Sequence, residues 1–153
     1  MRILFVCLGN ICRSPAAEGI FAHLIVQNGL SKSISCDSAG TAGYHEGEGA
    51  YPKMKKIAAK RGYNLTSISR PVRPEHDFED FDMIVAMDDQ NFKDLTRMAP
   101  NAKMGAKICK MTDFSTHYKY TCIPDPYYGD SKDYELVIDL LEDACEGLIQ
   151  KLI

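Results

Sequence analysis

Apolar and polar positions along the chain change period several times, and each change marks an element. Residues 3 to 6, ILFV, are continuously apolar and β-rich, which suits a strand covered on both faces. From Ser14 the period lengthens: Ile20, Phe21, Leu24 and Ile25 form one helical face. Ser14 is the expected N-cap of that helix, Pro15 its first residue and Asn28-Gly29 its stop. SISCDSAG, residues 33–40, reads as a second strand entering a Gly-rich loop. Residues 50–61 predict a basic helix stopped by Gly62, and MIVAM at 83–87 another buried strand. DDQNFKDLTRMA, 88–99, predicts a helix with an acidic start, and AKICKM, 106–111, a weaker strand. The last helix has the clearest 3.6 period, through Tyr134, Val137, Ile138, Leu141, Ala144, Cys145, Leu148 and Leu152. Gly147 interrupts that face, and close packing is one reading of it.

Strands alternating with helices predict an α/β fold, a parallel sheet with helices on both faces and right-handed crossovers, with residues 1–153 as a single domain. In such sheets ligands bind beyond the carboxyl ends of the strands, near the first strand-to-helix turn. CLGNICRS, residues 7–14, occupies that turn.

Composition narrows the partners. Hydrophobic residues make up 45% of 153, enough for a sizeable core, and 18 basic against 21 acidic side chains give a net charge of −3. No electrostatic footprint for nucleic acid or an anionic membrane is present, so any anion must be bound locally. The N-terminus lacks the design of a signal peptide and no apolar span approaches ~18 residues. A cytoplasmic protein is therefore expected. The six cysteines show neither CxxC pairs nor histidine partners at zinc spacing, so no disulfide scaffold, metal site or cofactor is expected.

A loop feeding a helix N-terminus presents unpaired amides and the positive end of the helix dipole to an anion. This loop carries neither a Walker pattern nor GxGxxG. Instead Cys7 stands six positions before Arg13, with Leu8, Gly9, Asn10, Ile11 and Cys12 between them. Gly9 and Asn10 can take left-handed conformations that turn amides inward. Dipole, amides and guanidinium all favour thiolate at Cys7, to which Ser14 can add a hydrogen bond, and Arg13 offers a planar fork for two phosphate oxygens. Displacing an ester with a thiolate also needs an acid for the leaving oxygen. Asp125, between two prolines in IPDPYYGD, is the candidate, although Pro, Asp and Gly also build ordinary turns. Tyr127, Tyr128 and Tyr44 can wall a planar ring. His23, His45, His76 and His117 have no partner at ligand spacing and are assigned no chemistry. A thiolate kept reactive is also the form peroxide attacks, so Cys7 is expected to be redox-sensitive, with Cys12 as its disulfide partner on the same loop.

CLGNICRSP, DSAGTAGY, FDMIVAMDDQN and DPYYGD, in that order, resemble the low-molecular-weight protein tyrosine phosphatases over nearly the whole chain. The resemblance implies a three-layer α/β/α fold on a four-stranded parallel sheet and a metal-free, two-step hydrolysis through a phosphocysteine. By that likeness Cys7 is the nucleophile, Arg13 the phosphate-binding arginine and Asp125 the general acid and then base. Ser14 steadies the thiolate, Asn10 shapes the loop with Ser38 as its hydrogen-bond support, and Tyr44, Tyr127 and Tyr128 stand at the cleft mouth. Phosphotyrosine proteins or small aryl phosphates would be substrates, inorganic phosphate the product, and a monomer the expected state. One departure is Ser67, where many relatives have a histidine; it predicts altered loop rigidity or pH response.

Three other readings compete. Arsenate reduction needs a cysteine relay, for which Cys36, Cys109 and Cys122 show no spacing. A protein arginine phosphatase tends to carry Thr at the position of Ile11. A noncatalytic phosphotyrosine-binding module would have no need of Cys7, Arg13 and Asp125 together.

Overall fold

Four strands, β1 (Arg2–Cys7), β2 (Ser35–Gly40), β3 (Met83–Ala86) and β4 (Ile108–Lys110), pair in parallel in the order β2-β1-β3-β4 in the computed structural model, which describes residues 1–153. Six α-helices connect or follow them: α1 (Arg13–Gln27), α2 (Pro52–Lys60), α3 (Pro74–Asp80), α4 (Asp89–Met98), α5 (Ala102–Gly105) and α6 (Ser131–Leu152). Successive side chains of β1 point to opposite faces, and both faces are covered. Ile3, Phe5 and Cys7 join a core of 30 buried residues that includes positions of α1, α2 and α6. Leu4 and Val6 join a smaller one of 10 that includes Phe78 of α3 and Leu95 of α4. The result is three layers of unequal weight, as the continuous apolar run ILFV requires.

The expected strands and long helices are all present, with trimmed ends. Helix α6 runs Ser131–Leu152 and is opened by a capping box between Asp130 and Asp133. Gly147 is explained by contact: a Cβ there would stand 1.9 Å from the carbonyl oxygen of Phe114. The expected N-cap of α1 is corrected. The helix begins at Arg13, Cys12 is its N-cap and no side chain caps it. Ser14 lies inside the first turn, and its hydroxyl faces back into the loop. An anion loop needs its amides free, so a side-chain cap there would compete with the ligand.

The chain leaves β1 toward β2 on one side and later returns to β3 on the other, so β1 and β3 form the switch point at which a crevice opens. Main-chain bonds frame that crevice. Thr41 N and Ala42 N donate to the carbonyls of Cys7 and Leu8, Tyr51 N to that of Ile11, and Ile123 N to that of Met87 just past β3. Gly40 is needed where these segments meet, because a Cβ would lie 2.7 Å from the Leu8 carbonyl and 2.8 Å from that of Ala42. No helix is long and apolar enough to cross a membrane.

Candidate active site

Cys7 ends β1 and is buried at the floor of a cleft of about 300 Å³. The loop beyond it turns at Asn10, whose φ of 56° is the left-handed conformation expected of this stretch; Gly9 does not take it. Gly9 is small for another reason: a Cβ would meet the ring of His45 at 3.1 Å. Asn10 is held at both ends of its amide. Its Nδ2 donates to Ser14 Oγ at 2.8 Å and its Oδ1 accepts from the amide of Arg70 at 3.0 Å. Ser14 Oγ lies 3.0 Å from Cys7 Sγ and 3.4 Å from the Ala39 carbonyl. With the Asn10 amide donating to it, the hydroxyl has one proton of its own to offer, and the sulfur is the nearer acceptor.

Arg13 is buried with its fork divided. Nη1 donates to Asp88 Oδ2 at 2.6 Å and to the Ile123 carbonyl at 3.1 Å, while Nη2 is 3.6 Å from Asp125 Oδ2 across the cleft. Burial opposes its charge, yet Cys7, Asp88 and Asp125 together hold its pKa above the usual arginine value. Asp88 was legible only as the acidic start of α4. It does cap α4, accepting from Asn91 N at 2.7 Å, and spends its second oxygen on Arg13.

Asp125 reaches the cleft from the turn before α6, where its Oδ1 accepts from Tyr127 N at 3.1 Å. Leu8, Gly9, Ile11, Cys12, Tyr44, Tyr127 and Tyr128 line the cleft with Cys7, Arg13 and Asp125. His45, to which no chemistry was assigned, lines it too, and its Nδ1 is 2.7 Å from Glu48 Oε2. Its place beside Tyr44 in GTAGYHEG was the available signal. Cys12, beneath the loop, is a thiol rather than a thiolate. Burial first, and then the charges of Cys7 and Asp125, push its pKa up to about 12.

Ser38 is a correction. Its hydroxyl donates to Glu18 Oε1 at 2.5 Å and not to Asn10, whose partners are Ser14 and Arg70. The resemblance supplied Ser38 as the support of Asn10, but the acceptor that its hydroxyl finds is Glu18 of α1. Ser67 also faces Glu18, beside a cavity of about 80 Å³. The departure from the family pattern therefore acts behind α1, away from the cleft. Burial is the main reason that the Glu18 pKa is raised.

A cysteine at the end of a parallel strand, a loop that turns at Asn10 and an arginine at a helix start form a cysteine- and arginine-bearing cleft where anions bind on doubly wound sheets. The comparisons agree. Residues 2–153 match the model of the low molecular weight phosphotyrosine protein phosphatase family. The human low molecular weight phosphotyrosine protein phosphatase is 34% identical over 149 residues, covering 97% of this chain and 94% of its own. A crystal structure of the Entamoeba histolytica protein tyrosine phosphatase with Hepes in its active site superimposes with a TM-score of 0.96 at 53% identity, covering 99% of this chain and 96% of that one. The arginine phosphatase YwlE of Bacillus subtilis shares the fold at 26% identity and a TM-score of 0.88, covering 99% and 95%. This chain belongs to the low molecular weight phosphotyrosine protein phosphatase family.

Proposed function

We propose that the chain hydrolyses phosphotyrosine, on proteins or as small aryl phosphate monoesters, through a phosphocysteine on Cys7. The observation that carries this is the convergence of Cys7, Arg13 and Asp125 in one cleft with tyrosine walls. Cys7 Sγ attacks phosphorus from the floor, the bond to the phenol oxygen breaks, and Asp125 gives that oxygen its proton. Loop amides and the open side of the Arg13 fork take the phosphoryl oxygens as the group flattens. Asp125, now a carboxylate, accepts a proton from the water that attacks phosphorus. The sulfur–phosphorus bond breaks and inorganic phosphate leaves. These steps call on side chains and amides alone, without a metal or cofactor.

Ile11, buried in the cleft lining, favours an apolar aryl group over a guanidinium, so phosphoarginine should be the poorer substrate. Six free cysteines fit a reducing, cytoplasmic setting. The chain is read as one catalytic domain acting as a monomer. The deciding experiment is hydrolysis of an aryl phosphate, with a chelator present, by wild type and Cys7→Ser. Wild type should turn over and the variant should bind phosphate with negligible turnover. Full activity in Cys7→Ser would end the reading.

A further inference from the structure

Tyr134 heads the fully buried side chains by volume, on the inner face of α6. A phenylalanine would fill the same space, so the hydroxyl needs its own explanation. It donates to the carbonyl of Tyr127 at 3.3 Å. The amide of that same residue donates to Asp125 Oδ1 at 3.1 Å, which leaves Oδ2 facing Arg13 Nη2 at 3.6 Å. Two residues further along, Lys53 Nζ holds the Gly129 carbonyl at 3.2 Å and lies 5.2 Å from the centre of the Tyr134 ring. Tyr51 stacks on the ring from the other direction, centroids 6.3 Å apart and planes 14° from parallel. The thiol of Cys12, from the phosphate loop, borders the same hydroxyl. Burial is the largest cause raising the phenol pKa, so Tyr134 is a donor throughout the neutral range.

We propose that the Tyr134 hydroxyl is a positioning group for Asp125, tying the acid-bearing turn to α6 beside the phosphate loop through the Tyr127 carbonyl. Asp125 is then aimed from both ends of one residue, its carboxylate by the Tyr127 amide and that residue in turn by Tyr134. The inference rests on Asp125 being the general acid, and its test separates the two. Tyr134→Phe keeps the ring, the stacking and the packing. Toward aryl phosphates with weakly acidic leaving phenols its kcat/KM, which reports phosphocysteine formation alone, should fall about three- to tenfold, the worth of one hydrogen bond. With a strongly acidic leaving phenol the fall in kcat/KM should be under about twofold, and inhibition by inorganic phosphate should not move, because no phosphate contact is lost. In an Asp125→Ala background the same change should cost nothing further, since the group being aimed is gone. An equal loss across leaving phenols, the same loss with Asp125 absent, no loss at all, or a variant too unstable to assay would each overturn the positioning role. If Asp125→Ala alone shows no dependence on the leaving phenol, the general-acid reading fails by itself, whatever Tyr134→Phe does.

Discussion

The two loops that meet in the cleft are built on opposite plans. The phosphate loop between β1 and α1 is locked before any substrate arrives: Asn10 is bonded at both ends, Ser14 and Arg13 are buried and hydrogen-bonded, and four loop carbonyls are engaged. Those carbonyls accept from Thr41, Ala42, Ser69 and Tyr51, at Cys7, Leu8, Gly9 and Ile11 respectively. The acid turn is held at fewer points and stands in solvent, with the Asp125 side chain 45% exposed and Tyr128 97% exposed. The difference suits the roles proposed for each. Charge developing on a phosphoryl group is stabilised most by donors that need no reorganisation, whereas an acid must also let a phenol out and water in.

That contrast breaks first at Asp125. Asp125→Ala should cost on the order of 10²–10⁴ in rate for a poor leaving phenol and much less for an acidic one. A uniform loss would mean that Asp125 only shapes the turn. The opposite signature is expected of Arg13→Lys, about 10²–10³ in kcat and nearly independent of the leaving phenol. A point charge cannot both serve Asp88 and present two donors to phosphate. A leaving-group slope in that variant as steep as in Asp125→Ala would show that the loops do not divide the chemistry this way.

The phosphate loop was legible because its function is local. Strand, turn and helix start lie within nine residues, and the glycine, asparagine, cysteine and arginine each carry their reason in their own chemistry. What escaped was distant. Asp88 is 75 positions from the Arg13 it holds, and the Arg70 amide is 60 from Asn10. A backbone amide leaves no signature in sequence. Ser38 was assigned the wrong partner because its competitor, Glu18, sits 20 residues away on a helix face. Helix α3 did carry a local signal, Pro74 at its start with Glu75 and Asp77 in the first turn. Seven residues with a single large apolar side chain, Phe78, give no period from which to see it.

A third prediction concerns the one cysteine pair the locked loop contains. Peroxide should convert the Cys7 thiolate to a sulfenic acid, with peroxide reduced to water. The Cys12 thiol can then displace that oxygen, releasing a second water as a disulfide forms. Oxidation also removes the Cys7 charge, which after burial is the largest cause holding the Cys12 proton in place. Wild type should therefore regain most activity after a thiol reductant, and Cys12→Ser severalfold less, with a linked 7–12 peptide seen by mass in wild type only. Equal recovery would return Cys12 to packing.

The smallest effect is expected behind the loop, on the helix that carries Arg13 and Ser14. Glu18 is half-buried there, with Asp37 adding a like charge and the Ser38 hydroxyl, Ser67 and Arg70 only partly offsetting the two. Its pKa is raised above the ordinary 4.5, so around and above that value the folded chain holds a proton that the unfolded chain has released. The sign follows by linkage: what this proton contributes to stability is complete at acid pH and is lost as pH rises through the folded-state value. Glu18→Gln keeps the shape and removes the titration. Urea unfolding should show the variant matching wild type below about pH 4 and exceeding it at pH 7 by of order 1 kcal/mol or less. Catalysis should change little, since Glu18 touches Ser38 and not Asn10. A stability difference that stays constant from pH 4 to 7, or a Gln variant weaker at pH 7, would show that the carboxylate is well solvated or paired where it stands.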